Sequence, residues 1–250
     1  MIIIKNNTEI EYMRKAGKLV GETLLELEKA VKPGITTAEL DKIAEEFITK
    51  RGGKPSFKGY YGFPASICTS VNEQVVHGIP DKNAILKEGD IISIDCGAIL
   101  NGYQGDAART FPVGKISEEA QKLIDVTRES FFKGVEKALK NNRLTDISFA
   151  IQQYAESYGY SVVRDYVGHG IGKDMHEDPE VPNFGRPGRG PKLVSGMVLA
   201  IEPMINLGAY EVESKPNGWT VVTKDGTLSA HYENTVAILE NGPEILTLIQ

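Results

Sequence analysis

Four carboxylates stand in or beside apolar runs of this 250-residue chain. Asp95 follows Ile91, Ile92 and Ile94, and Asp106 lies beyond the dipeptide Asn101-Gly102. Glu202 ends the run from Met197 to Ile201 and precedes Pro203, while Glu233 interrupts the run from Leu228 to Leu239 that Asp225-Gly226 introduces as a hairpin turn. Asn-Gly is a strong two-residue hairpin signal, and pairing about it sets Leu100 opposite Tyr103 and Gly97 opposite Asp106. Asp95 and Asp106 then project from one face as diagonal neighbours, about 7–8 Å apart at the backbone. Like charges this close require a shared proton or a cation, and a buried acid requires a partner. Solvated surface acids would account for the same spacing in a polar context; the isoleucines before Asp95 weigh against that. Two such acids in each half of the chain make an oxygen-rich cage for a divalent metal.

The four histidines sharpen this picture. His169 lies in Gly168-His169-Gly170-Ile171-Gly172, where the glycines allow backbone or ligand to approach closely. His77, in Val75-Val76-His77-Gly78-Ile79-Pro80, and His176, in Met175-His176-Glu177-Asp178-Pro179, sit at loop edges, where a structural role and a functional one are both open. His231 alternates onto the strand face of Glu233, which suits packing or support behind that acid rather than a primary role. Cys96, of opposite parity to Asp95, reads as a buried packing thiol.

Helices and strands alternate around these positions. Thr8 with Glu11 and Thr36 with Glu39 form capping-box patterns. The first opens an amphipathic run through Met13, Ala16, Leu19, Val20, Leu24 and Leu27, the second one through Leu40, Ile43, Ala44 and Phe47. Two more helices are predicted, from Ser117 to Leu139 and from Thr145 through Ile147, Ile151 and Tyr154. Lys32-Pro33-Gly34 and Arg51-Gly52-Gly53 supply stops. The halves resemble each other at an offset of 107 residues, which carries Leu86, Gly89 and Asp95 onto Leu193, Gly196 and Glu202, and Leu40, Ala44 and Gly52 onto Ile147, Ile151 and Gly159. Either two helix-turn-strand segments are alike by chance, or one unit is doubled and brings Asp95 and Glu202 towards a shared axis. Residues 183–191, rich in Gly, Pro and Arg, read as a surface loop.

Composition removes several function classes. With 34 acidic against 28 basic residues and a net charge of −6 there is no footprint for a phosphate backbone, so nucleic-acid binding is disfavoured. Two cysteines without C-x-x-C spacing argue for a reducing compartment. The N-terminus has only a three-residue apolar run, and no later stretch is long enough to span a bilayer. A cytoplasmic protein of one domain, residues 1–250, is expected.

His77, Asp95, Asp106, His169, Glu202 and Glu233, in that order, resemble the pattern of the type I methionine aminopeptidases. The segments Asn72 to Pro80, Gly89 to Asp95, Gly105 to Phe111, Gly168 to Gly172 and Ala200 to Met204 all fit, and the likeness extends from the first helix to the last strand. The chain resembles the short bacterial form without an N-terminal extension. This resemblance implies an α+β pita-bread fold, two pseudo-symmetric helix-strand halves around a central, curved, mostly antiparallel sheet. It implies a metalloprotease that hydrolytically removes the initiator methionine from nascent polypeptides or peptides, preferentially before a small second residue.

Carried over residue by residue, the resemblance makes Asp95, Asp106, His169, Glu202 and Glu233 ligands of two divalent ions, with Asp106 and Glu233 bridging and Glu202 the general base. Paired ions lower the pKa of water to give a nucleophile near neutral pH. Whether cobalt, manganese, iron, zinc or nickel serves depends on availability as much as on ligand type. His77 corresponds to a residue near the scissile nitrogen and His176 to one that hydrogen-bonds the scissile carbonyl. Tyr60, Phe63, Cys68 and Trp219 match positions lining the methionine slot. Three positions differ from the family pattern: Met175 where many relatives carry an aromatic residue, His231 where glutamine is commoner, and Asn234 where many carry histidine. A monomer working without membrane or nucleic-acid partners is expected, with ribosome association left open. The rivals are an X-Pro aminopeptidase or prolidase, which shares fold and ligands, and a metal-free pita-bread module that binds proteins.

Overall fold

The computed structural model describes residues 1–249. Helix α1, Asn7–Ala30, is capped by Asn6, whose side chain accepts from the Glu9 amide at 3.0 Å while Glu9 accepts from the Asn6 amide at 2.9 Å. The cap therefore lies two residues before the expected Thr8. Asn6 and Glu9 satisfy the same spacing rule, and the earlier start leaves Thr8 inside the first turn. Helix α2, Thr37–Lys50, opens on the expected box of Thr36 and Glu39. Helix α3, Glu118–Val135, is capped by Ser117 and stops short of Leu139. Helix α4, Leu144–Ser157, begins one residue before Thr145, with the Asp146 carboxylate accepting from the Arg143 amide at 2.8 Å. The apolar stripe of α1, from Met13 to Leu27, is buried as its period requires.

The 107-residue offset is a doubled structure. Helices α2 and α4 are both 14 residues long and begin 107 residues apart. Gly89 and Gly196 share a φ of +93°, a left-handed conformation that glycine adopts without strain. The isolated bridge Thr36↔Ile85 recurs as Arg143↔Lys192, and the pair Pro55↔Ala98 as Val162↔Ile205. Chance likeness of short segments does not reproduce long-range pairings.

Every strand pair is antiparallel, and the sheet is divided into segments. In the first half, Ile91–Leu100 pairs with Lys54–Pro55, Ile67–Val71 and Tyr103–Pro112. Asn101 and Gly102, at φ +54° and +80°, make the expected turn, with Leu100↔Tyr103 and Gly97↔Asp106 in register. In the second half the counterpart of Ile91–Leu100 is broken at Glu202-Pro203 into Val198–Ile201 and Met204–Asn206. Proline has no amide to continue the ladder. The returning chain is likewise split into Ser229–His231 and Asn234–Leu239.

The hairpin expected at Asp225-Gly226 does not form. The preceding strand Val221–Thr223 pairs instead with Val212–Ser214 and Gln74–Val76, while Ser229–His231 pairs with Met204–Asn206. The Asp225 carboxylate accepts from the amides of Ala209 and Thr227, so it closes a turn without joining adjacent strands.

The halves meet along a seam of backbone bonds. The amide of Glu233 donates to the carbonyl of Ala108 at 3.0 Å, and that of Ala108 returns to Glu233 at 3.3 Å. One apolar cluster packs α1 and α2 against the first sheet, around Leu40, Ile48, Ile92 and Ile94. A second packs α3 and α4 against the other, around Phe131, Ile147, Leu199 and Val236. The seam between these two cores is where the acids converge.

Candidate metal centre

A cavity opens at the seam, lined at its floor by Asp95, Asp106, His169, Glu202 and Glu233. His77, His176, Tyr60, Phe63, Cys68 and Trp219 form its walls, so every site residue singled out from the sequence borders one space. The wall also includes Phe57, Tyr61, Val76, Tyr166, Val167 and Met204, which sequence reasoning missed. These lie in loops or short strands without a period that marks the cavity side.

Two of the acids lie on strands and two at the breaks between strands. Asp95 and Asp106 come from the first hairpin, Glu202 from the break before Pro203, and Glu233 from the gap between Ser229–His231 and Asn234–Leu239. The Asn183 side-chain Nδ2 donates to the Glu202 backbone carbonyl at 3.0 Å. Asn183 is fully buried and so corrects its reading as part of a surface loop; its neighbours in sequence gave no sign of this long-range contact.

His169 is held in Gly168–Gly170, with its Nδ1 2.9 Å from the Gly170 carbonyl and its Nε2 3.6 Å from Glu202 Oε1 and 3.8 Å from Asp106 Oδ2. The flanking glycines are required: a Cβ on Gly168 would lie 2.3 Å from the Ala200 carbonyl, and one on Gly170 2.2 Å from that of Asp178. Two groups of donor atoms each lie within 4.8 Å of one another, Asp106 with His169 and Glu233, and Glu202 with His231 and Glu233. Asp95 shares the cavity but belongs to neither group.

The electrostatics are those of a cage that calls for a cation. Burial pushes the Asp95 carboxyl up to about 7, against the opposing hydrogen bonds from Asp106 and the Cys96 backbone. Burial, then the charges of Glu233 and Asp95, raise Asp106 well above the carboxylate range. Glu202 and Glu233 rise for the same reasons, burial first and neighbouring acids second. Burial lowers His169 to about 3 and His77 to about 4, with His176 reinforcing both, which keeps their imidazoles neutral. Asp95 Oδ1, Asp106 Oδ1, Glu233 Oε1 and His231 Nε2 are buried with no hydrogen-bond partner. Four orphaned donor atoms in one place are too costly to leave uncompensated, and hard oxygens with imidazole nitrogen are the donor set of a divalent transition metal. The residues fit the ion.

The walls divide by chemistry. Phe63 meets Trp219 edge-on at 5.1 Å and packs with Ala65 and Cys68, giving an apolar slot. Opposite, Tyr60 Oη lies 2.8 Å from His176 Nδ1, and the His176 ring is 4.2 Å from that of His169. His77 adopts φ +58°, an uncommon conformation for a non-glycine residue, and meets Tyr166 edge-on at 5.7 Å. Of the three departures from the family pattern, Met175 is buried against Gly97, where a Cβ would lie 2.8 Å from its Cε. Asn234 accepts from Arg109 at 2.6 Å behind the acids. His231 is buried at the centre itself.

Comparison with known proteins agrees with this geometry. The model of metallopeptidase family M24 matches residues 11–240. A methionine aminopeptidase of Clostridium acetobutylicum is 76% identical over 250 residues, covering the whole of both chains. The crystal structure of a methionine aminopeptidase from Thermotoga maritima superposes with a TM-score of 0.98 at 49% identity, again over both chains completely. A prolidase from Pyrococcus furiosus is more distant, with a TM-score of 0.80 and 25% identity, and this chain covers 66% of it. A doubled α+β fold, an acid cage at its seam and full-length likeness to these enzymes agree that the chain belongs to metallopeptidase family M24, in its methionine aminopeptidase branch.

Proposed function

We propose that this protein is a dinuclear exopeptidase that hydrolyses the bond after an N-terminal methionine in peptides and nascent chains, preferring a small second residue. The observation that carries this reading is the convergence of four carboxylates and an imidazole at the floor of an apolar slot, with Asp106, Glu233 and His169 buried and Asp95 and Glu202 half-buried. Asp95, Asp106, His169, Glu202 and Glu233 would hold the ions. A bound divalent ion lowers the pKa of water and polarises a carbonyl. Cobalt, manganese, iron, zinc and nickel all suit the donors, and supply decides among them.

The chain's own groups do the rest. The free amine of the substrate lies against the acids, which confines cleavage to chain ends. Glu202 accepts a proton from the attacking water, its carboxylate being placed among the acids at the cavity floor. With the Tyr60 hydroxyl donating to Nδ1, His176 carries its proton on Nε2 and offers it to the scissile carbonyl oxygen as charge develops. Glu202 returns that proton to the leaving nitrogen, beside which the neutral His77 imidazole is placed to hydrogen-bond and relay it. The methionine side chain fills the slot of Tyr60, Phe63, Cys68 and Trp219, while Tyr166 and Met204 line the same cavity.

Residues 1–250 act as one catalytic unit, a monomer in the cytoplasm that meets nascent chains at or near the ribosome. The free thiols of Cys68 and Cys96 support that compartment. Among the described residues no helix is long and apolar enough to cross a membrane.

The test is a tripeptide panel with Mn, Fe, Co and Zn supplied separately. Met-Ala-Ser should be cleaved only with metal, and well ahead of Ala-Pro-Ala; the reverse order would assign an X-Pro aminopeptidase. Within the slot, Phe63→Ala should lower kcat/KM for Met-Ala-Ser about 10–100-fold, because a lost apolar contact costs substrate binding. Metal affinity by calorimetric titration should stay within about twofold, since no donor is touched. Parallel loss of both quantities would remove Phe63 from the slot.

A further inference from the structure

The doubled fold identifies a residue that composition and local pattern do not. Gly97 pairs with Asp106 in the first half, and Met204, 107 residues after Gly97, pairs with His231 in the second. His231 therefore occupies the position of Asp106 in the other half. The adjacent pairs agree: Ile94↔Arg109 recurs as Ile201↔Asn234, so the returning strands are related by 125 residues and Ala108 corresponds to Glu233.

Backbone clamps repeat the relation. The Thr235 hydroxyl accepts from the Asp106 amide at 3.0 Å and donates to the Asp106 carbonyl at 2.9 Å. Thr110, the counterpart of Thr235 at the same 125-residue spacing, accepts from the His231 amide at 2.9 Å and donates to the His231 carbonyl at 2.9 Å. Ser93 fixes Thr110 in turn, at 2.8 Å. His231 is held by the same pair of backbone bonds as the acid it mirrors.

Its side chain points into the cage. Nε2 is 3.7 Å from Glu202 Oε2 and 4.0 Å from Glu233 Oε2, is buried, and has no hydrogen-bond partner. The corresponding distances from His169 Nε2 to Glu202 and Asp106 are 3.6 and 3.8 Å. Donors each about 2.0–2.2 Å from one ion are separated by roughly 3–4 Å, so both imidazoles lie at ligand spacing. We propose that His231 is a sixth metal-binding residue, a second imidazole donor to the ion shared by Glu202 and Glu233, placed there by the symmetry that places Asp106. Its consequence is a preference for nitrogen-favouring ions such as Co(II) and Zn(II) over Mn(II).

This rests on the metal-centre reading above, and the test separates the two. Apo protein carrying ring-¹⁵N histidine is titrated with Co(II), and hyperfine-shifted imidazole signals are counted. Wild-type protein should give two coordinated histidines and His231→Gln one, with the ratio of Co(II) to Mn(II) affinity falling about tenfold or more in the variant. X-ray absorption of Co(II)-loaded wild type counts imidazoles without any substitution and guards against a variant that misfolds. A single coordinated imidazole in wild type, or an unchanged affinity ratio in folded His231→Gln, overturns the assignment of His231 alone. No uptake of Co(II) by wild type overturns the metal centre and this inference together.

Discussion

Asp106→Asn should abolish turnover while making the metal-free protein more stable at pH 8. The two effects have one cause. In the folded chain Asp106 is raised by burial and by the charges of Glu233 and Asp95, and Asp95 titrates near 7. Unfolded carboxyls titrate near 4, so above that pH the folded form binds more protons than the unfolded form. Stability is complete below the unfolded pKa and is lost as pH rises through the raised values. Asparagine removes one of the four charges and adds a donor that the orphaned oxygens of Asp95 and Glu233 can use. The thermal midpoint of metal-free protein should rise by a few degrees, roughly 2–4 °C per kcal/mol for a chain of this size, at pH 8 and not at pH 4. With a proposed metal ligand gone, several kcal/mol of transition-state stabilisation should be lost, and hydrolysis of Met-Ala-Ser should fall about 10³-fold or more. Scanning calorimetry after chelation, paired with an initial-rate assay, checks both. A metal-free variant less stable than its parent at pH 8 would show that the acids do not repel one another.

Glu202→Gln should act on turnover while the chain still folds. Glutamine preserves the shape of a side chain whose backbone is fixed by Pro203 and by the Asn183 bond to its carbonyl. It removes the proton acceptor proposed above. General-base catalysis contributes about 10²–10⁴-fold, so kcat should fall by that factor, while KM for a methionyl tripeptide changes only a few-fold because the slot is intact. A kcat within a factor of ten of the parent would assign the proton to another group.

The elements that local rules govern were legible in the sequence. Caps and apolar periods mark all four helices to within a few residues, because a helix satisfies its own backbone and needs only a face to bury. The register of Asp95 against Asp106 follows from Asn101-Gly102, since a two-residue turn fixes every pair behind it. The second half was less legible. Its returning strand is displaced by 18 further residues relative to the first half, the difference between offsets of 125 and 107. Glu233 looks like the partner of Asp106 in sequence but stands opposite the place of Ala108 in the fold, and His231 takes the place of Asp106. Asn183 and Tyr166 were missed because their contacts with the site are set by tertiary packing, which leaves no local period.

The most direct test of the cage is to strip the protein with a chelator, dialyse it, and titrate Co(II) while following visible absorption and Met-Ala-Ser hydrolysis in the same samples. Turnover should be absent at the start and rise with the absorption bands of the bound ion. Full hydrolysis by protein shown to carry no metal, or spectral saturation without any hydrolysis, would contradict a centre built from Asp95, Asp106, His169, Glu202 and Glu233.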